Sequence, residues 1–350
     1  MAVPDLQKAR KRTRRISMIL GALGLALLLY GLFSFLEADA ELSGAKDIEV
    51  SASPVFWNPN DWEEKDAGAL RFVAGLALTS SESAFGGLSG LHISKDGTKL
   101  LAVSDQGSWL SAVLTYDGMK VMGLDEARMA PIPGPDGKPL ASKYEQDAEG
   151  LDVTDDGLAC VSFERHHRVW CYDLARQGFD APAIPIDIGG MGEELDDNGG
   201  LETLVILHNA MDAPALFTIA EKADETSGAM PAAHIGKDWV NRARVKAEPP
   251  FSITDGKMRS NGNLILAERR YSPLAGVGLR LREIEAGFLE TETPLEGREL
   301  LNVGQAYSID NMEGLALVET EEGRTFLFLL SDDNFNAMQR TLLLQFELRQ

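Results

Sequence analysis

This sequence predicts an all-β propeller on three observations: five segments with one grammar, a near-constant step between them, and strands separated by Asp-Gly and Asn-Gly turns. Each segment is a short apolar strand opening on a small or acidic residue, a turn, and a second apolar strand ending in an acid. The openers Ser89, Glu149, Glu202, Asp255 and Glu313 step by 60, 53, 53 and 58 residues. A two-sheet sandwich does not call for that regularity, whereas a ring of small antiparallel sheets does. Only 37 residues follow Glu313, too few for a full period. An early strand such as residues 70–79 (LRFVAGLALT) is therefore expected to finish the last sheet and close the ring.

In chain order, the first blade is read at residues 86–105 (GGLSGLHISKDGTKLLAVSD) and the second at 147–164 (DAEGLDVTDDGLACVSFE). The third lies at 199–207 and 216–221, the fourth at 251–268 (FSITDGKMRSNGNLILAE) and the fifth at 311–332. Third strands such as RVWCYDL, GLRLREI and RTLLLQFEL follow. The repeat count gives five blades; six is the alternative if residues 47–66, rich in Pro, Asn and Trp, form a blade instead of an arm. Residues 189–200 (GGMGEELDDNGG) read as an acidic loop between blades two and three. The expected organisation is a signal peptide or membrane anchor at 1–40, a linker or arm at 41–69, and one propeller domain at 70–350.

The N-terminus argues for export. A basic stretch, KARKRTRR, runs into residues 16–36, which carry no charge, followed by Ala38 and Ala40 at signal-cleavage spacing. The apolar run is also long enough to span a bilayer, so a cleaved signal and an uncleaved inner-membrane anchor both fit. Either puts the body in the periplasm or outside the cell. The formal net charge is −21, with six basic and three acidic side chains in the first 40 residues, so the body carries −24. Such a body repels nucleic acid and favours cations. Cys160 and Cys171 face each other if CVSFERHHRVWC turns near Arg165 and His166, which makes them a disulfide candidate in an oxidising compartment.

In a propeller the first strand of each blade lines the channel, so equivalent residues converge on the axis. Glu149, Glu202, Asp255 and Glu313 form such a set, with Ser89 as its neutral fifth member. Carboxylates facing each other need protons, hydrogen bonds or a cation. Oxygen ligands without cysteine or clustered histidine favour Ca²⁺ ahead of Mg²⁺. A second set ends the second strands: Asp105, Glu164, Glu221, Glu268 and Asp332, with Arg165, Arg269 and Arg270 beside them. Paired with arginines, these acids could equally pin one blade to the next. There is no Gly-x-Ser-x-Gly elbow, no histidine ligand spacing and no phosphate loop before a helix, which argues against a serine hydrolase, a zinc enzyme and a nucleotide-binding enzyme.

Four stretches, GGLSGLHISKDGTKLLAVSDQGSW, DAEGLDVTDDGLACVSFERHHRVW, LILAERRYSPLAGVGLRLREI and DNMEGLALVETEEGRTFLFLLSDDNFNAMQRTLLLQFEL, resemble the bacterial phytase-like family, named for the esterase-like activity of phytase. They span most of residues 85–350. The resemblance implies an exported propeller and ester or phosphoester hydrolysis. The reading that follows is a hydrolase of a small anionic ester or phosphoester. In it Glu149, Glu202, Asp255 and Glu313 hold the metal, Glu164 or Glu268 acts as general base, and Arg165, Arg269 and Arg270 bind substrate. A non-catalytic periplasmic propeller that binds a ligand or protein partner is the alternative.

Overall fold

The computed structural model describes residues 42, 44–196, 199–208, 214–222, 228–287 and 294–349. The first blade runs outward from the axis as β5 (Leu88–Ile93), β6 (Lys99–Ser104), β7 (Ser108–Asp117) and β8 (Lys120–Pro131). The second is β9 (Ala148–Val153), β10 (Leu158–Phe163), β11 (Arg168–Asp173) and β12 (Ile184–Ile186). The third is β13 (Leu201–His208), β14 (Ala215–Ala220), β15 (Ala229–Gly236) and β16 (Trp239–Lys246). The fourth is β17 (Ser252–Met258), β18 (Leu264–Ser272), β19 (Gly276–Ile284) and β20 (Arg298–Gly304). The fifth starts with β21 (Asn311–Glu319), β22 (Thr325–Asp332) and β23 (Thr341–Leu348), and is finished by β4 (Leu70–Ser80) from the other end of the chain. β4 and β23 pair antiparallel from Leu70 opposite Leu348 to Leu78 opposite Thr341. This is the ring closure that the short final period demanded, and it makes five blades.

The segment read as an arm joins the outer edges of two blades. β1 (Lys46–Asp47) pairs β8 of blade one, β2 (Val50–Pro54) pairs β4 of blade five, and β3 (Asp66–Ala67) pairs the start of β4. The expected signal or anchor at residues 16–36 lies outside the described residues. Among the described residues no helix is long and apolar enough to cross a membrane.

Five apolar cores lie one between each pair of neighbouring blades. Leu91 and Phe328 meet between blades five and one, Trp109 and Phe163 between one and two, and Leu158 and Leu204 between two and three. Phe217 and Leu264 meet between three and four, and Leu281 and Leu329 between four and five. Polar side chains collect toward the axis. Cys160 and Cys171 face each other on β10 and β11, form a disulfide with Cα atoms 4.0 Å apart, and lie in the core between blades two and three.

The innermost strands β5, β9, β13, β17 and β21 stand side by side round the channel. Their approach is close enough to dictate glycine. A Cβ on Gly90 would lie 2.5 Å from the Glu149 carbonyl oxygen, one on Gly150 2.6 Å from that of Glu202, and one on Gly314 2.6 Å from that of Ser89. Backbone on both sides cannot yield as a side chain can. Gly90→Ala is therefore expected to lower stability by about 1–3 kcal/mol through overpacking. Thermal unfolding of the variant checks this, and an unchanged melting temperature would show that the inner strands are not packed this tightly.

Candidate functional site

Each inner strand bulges by one residue where it meets the second strand of its blade. Leu88, Ala148, Leu201, Ile253 and Met312 sit opposite Ser104, Phe163, Ala220, Glu268 and Ser331. The next inner-strand residues, which turn to the axis, are Ser89, Glu149, Glu202, Thr254 and Glu313. The next second-strand residues are Asp105, Glu164, Glu221, Arg269 and Asp332. Blade four is thus one residue out of step with the expected set, and one residue in a strand exchanges the two faces.

Three expected residues therefore lie away from the ring. Asp255 turns between strands, where its carboxylate accepts from the backbone of Leu315 (2.8 Å) and Gly256 (2.7 Å) and from Lys257 Nζ (2.9 Å). Burial raises its pKa to about 6, against the pull of Lys257. Glu268 is fully buried in blade four, held by Arg280 Nε (2.5 Å) and by Arg282 Nη2 (2.5 Å) and Nε (2.9 Å). That carboxylate is a structural pin, since removing one partner of a buried pair strands the others. Arg270 points to the opposite face of β18 from Arg269, with its guanidinium laid along the backbone of Gly278 and Gly304.

The other expected residues converge. Asp147, Glu149 and Glu164 offer carboxylate oxygens within 4.8 Å of one another, and so do Glu164, Glu202 and Glu221. Glu164 belongs to both groups, so the two triads of blades two and three adjoin at its carboxylate. Asp147 and Glu221 were missed as ligand candidates. The opener motif drew attention to Glu149, although Asp147 precedes it in the same DAEG string. Arg269 Nη1 lies 2.5 Å from Asn311 Oδ1 and 3.5 Å from Glu313 Oε1, and its Nη2 lies 3.4 Å from Glu221 Oε1. Lys143 Nζ bridges Asp105 Oδ2 and Asp147 Oδ1, each at 2.7 Å, and Arg165 bonds the other oxygen of Asp147. Below this layer Lys257 reaches from blade four to the Leu151 carbonyl of blade two (2.8 Å), crossing the channel and flooring the site.

Eight carboxylates (Asp105, Asp147, Glu149, Glu164, Glu202, Glu221, Glu313 and Asp332) meet four cations here, Lys143, Arg165, Lys222 and Arg269. The excess of negative charge shows in the acids. Burial first, and then Glu202, Glu313, Asp147 and Glu164, hold the Glu149 carboxyl well above the usual range. Burial with Glu221, Glu313 and Glu164 does the same to Glu202, and burial with Glu313 and Asp105 to Asp332. Burial raises Glu313 to about 7, although Arg269 opposes the rise. Charge that protons would otherwise cancel can be cancelled by a cation.

The donor set fits a hard divalent ion. It is all oxygen, its spacing can be bridged by Ca²⁺ with ligand distances of about 2.4 Å, and Ser89 Oγ, buried at the fifth axial position, has no hydrogen-bond partner among the described residues. Neither histidine of the neighbouring turn is drawn in: His166 faces Glu145 and His167 the Asp196 carbonyl.

A profile of the phytase-like family, described as the esterase-like activity of phytase, matches residues 83–335. The chain belongs to that family. No curated protein matches it. Solved structures that are similar include a protein of unknown function from Dyadobacter fermentans DSM 18053, 11% identical with a TM-score of 0.40 over 88% of this chain and 100% of that one. An α-L-arabinofuranosidase from Podospora anserina in complex with cellotriose is 9% identical with a TM-score of 0.45, over 86% and 97%. Virginiamycin B lyase from Staphylococcus aureus is 9% identical with a TM-score of 0.36, over 85% and 99%. At these identities and scores the likeness says nothing about chemistry. The phytase-like family is shown by the profile, and the site is described by its own residues.

The raised acids give a stability prediction with a definite sign. Glu149, Glu202, Glu313 and Asp332 bind protons more tightly folded than unfolded, so this contribution is present in full below the unfolded values near 4.5 and 3.8 and is lost as pH rises. Acids held low, such as Glu283 and Glu319, act in the opposite direction but below about pH 4.5. The cation-free protein should therefore melt at lower temperature as pH rises from about 5 to about 7.5. Calorimetry in chelator at four pH values checks this. A melting temperature that climbs over that window would contradict the crowding of the acids.

Proposed function

We propose that this protein is a divalent-cation-dependent hydrolase of a small anionic ester or phosphoester, working at the acidic mouth of the propeller. The observation that carries the reading is the convergence of Asp147, Glu149, Glu164, Glu202 and Glu221, with Glu164 common to both groups of three. Those five residues would hold the ion, Ca²⁺ ahead of Mg²⁺. When bound, such an ion supplies Lewis acidity toward a substrate oxygen and toward water.

The chain's own side chains supply the rest. Glu313, raised to about 7, is matched to accepting and returning a proton near neutral pH. Its Oε1 is oriented by Asn311 Nδ2 at 2.7 Å. Arg165 and Arg269 keep more than a third and about a third of their side-chain surface open at the mouth, and each has N–H groups to offer an anion. The Lys257 floor supports entry and exit on one face. Membership of the phytase-like family supports ester or phosphoester chemistry as the reaction class. The apolar residues 16–36 and the Cys160–Cys171 bond support a site of action outside the cytoplasm, with the N-terminal segment cleaved or kept as an inner-membrane anchor.

A second reading has its own observation. Tyr144, Tyr271, Leu274 and Met338 are exposed (53%, 72%, 97% and 88%) on segments that adjoin the ring residues of blades two, four and five. An apolar rim around an acidic mouth suits a bound partner without catalysis.

A panel of p-nitrophenyl esters and phosphates, assayed with calcium and with chelator, separates the two. The hydrolase reading expects activity that chelator abolishes and calcium restores, and a loss of at least about 100-fold in Glu149→Gln, the order seen when one electrostatic group is removed from an active site. Activity indifferent to chelator, or a panel that is silent throughout, would reject it.

A further inference from the structure

Blade four breaks the acidic pattern twice, and the second break introduces a cation. Thr254 stands at the axial position and donates through Oγ1 to the Met312 carbonyl (3.0 Å), so it adds no charge. Arg269 stands where the other four blades place Asp105, Glu164, Glu221 and Asp332. A guanidinium stays charged at any working pH, and its fork fixes where that charge lies. Here it lies against Glu221 and Glu313, on the side of blades three to five. The five acids that could hold an ion are on the side of blades two and three, and Glu221 belongs to both halves. The buried, unpartnered hydroxyl of Ser89 at the fifth axial position is a separate sign that a ligand completes this layer.

We infer that Arg269 is a built-in counter-cation, which competes with a divalent ion for Glu221 and weakens its binding. The inference rests on the cation-binding reading given above. Its physical basis is that one positive charge a few ångströms from a divalent ion repels it, and a carboxylate shared with a guanidinium is a poorer ligand. Removing the charge frees Glu221 and removes the repulsion together.

The test is a calorimetric titration of the full-length chain with CaCl₂ alone at pH 7, for wild type, Arg269→Gln and Arg269→Lys. Arg269→Gln is expected to bind calcium roughly tenfold or more tightly, the least that a unit charge at this range should change at an effective dielectric near 20. Arg269→Lys, which keeps the charge, should stay within about threefold of wild type. Should Arg269→Gln be recovered folded only when calcium is present, that recovery supports the inference, with the lysine variant folding in its absence. Wild type that binds calcium with an affinity unchanged in Arg269→Gln overturns the inference and leaves the hydrolase reading standing. Binding in Arg269→Gln but not in wild type has the reverse effect, and binding in neither overturns both.

Discussion

Like charges held close together on the axis of a closed ring are the constraint on which the rest of this molecule depends. The ring closes because β4, from one end of the chain, completes the sheet begun by β21, β22 and β23 at the other. Closure presses five inner strands together until only glycine fits at Gly90, Gly150 and Gly314. The residue before each of those glycines is turned to the axis by a one-residue bulge, and in blades two and five that residue is a glutamate. Packing geometry thus assembles the acids, and electrostatics opposes them. Folding energy from five apolar cores between the blades is what holds the arrangement against that repulsion.

The molecule answers the repulsion with placed cations. Lys143 and Arg165 close round Asp147, and Arg269 closes round Glu221 and Glu313. Lys257 crosses the channel beneath them and pairs with Asp255, which faces between strands. These cations are fewer than the eight carboxylates. Protons make up the difference at low pH. In the proposed function a divalent cation takes the protons' place near neutral pH, its hydration replaced in part by carboxylate oxygens.

Much of this was legible in the sequence, for stated reasons. The regular step between openers and the short last period specify a closed ring, and pairing of residues 70–80 with 341–348 follows. The hairpin turning near Arg165 sets Cys160 opposite Cys171 because antiparallel register is arithmetic. Glu149, Glu202 and Glu313 reach the axis as expected. Blade four was misread because Asp255-Gly256 imitates the Glu149-Gly150 and Glu313-Gly314 pairs, while the bulge falls one residue earlier at Thr254. The same slip made Glu268 look like a ring acid and hid Arg269. The string FSITDGKM has only Phe251, Ile253 and Met258 as apolar markers, too few to place the bulge. Lys257 was silent for a different reason: its partner, the Leu151 carbonyl, is backbone on a distant repeat.

The central claim is that Asp147, Glu149, Glu164, Glu202 and Glu221 share one divalent cation. A crystal grown in calcium, with anomalous diffraction recorded at long wavelength, tests it most directly. The account predicts a single strong peak within coordination distance of Glu164, on the side of the channel formed by blades two and three. Absence of any peak there, with the carboxyl groups instead paired to one another through shared protons at neutral pH, would contradict it.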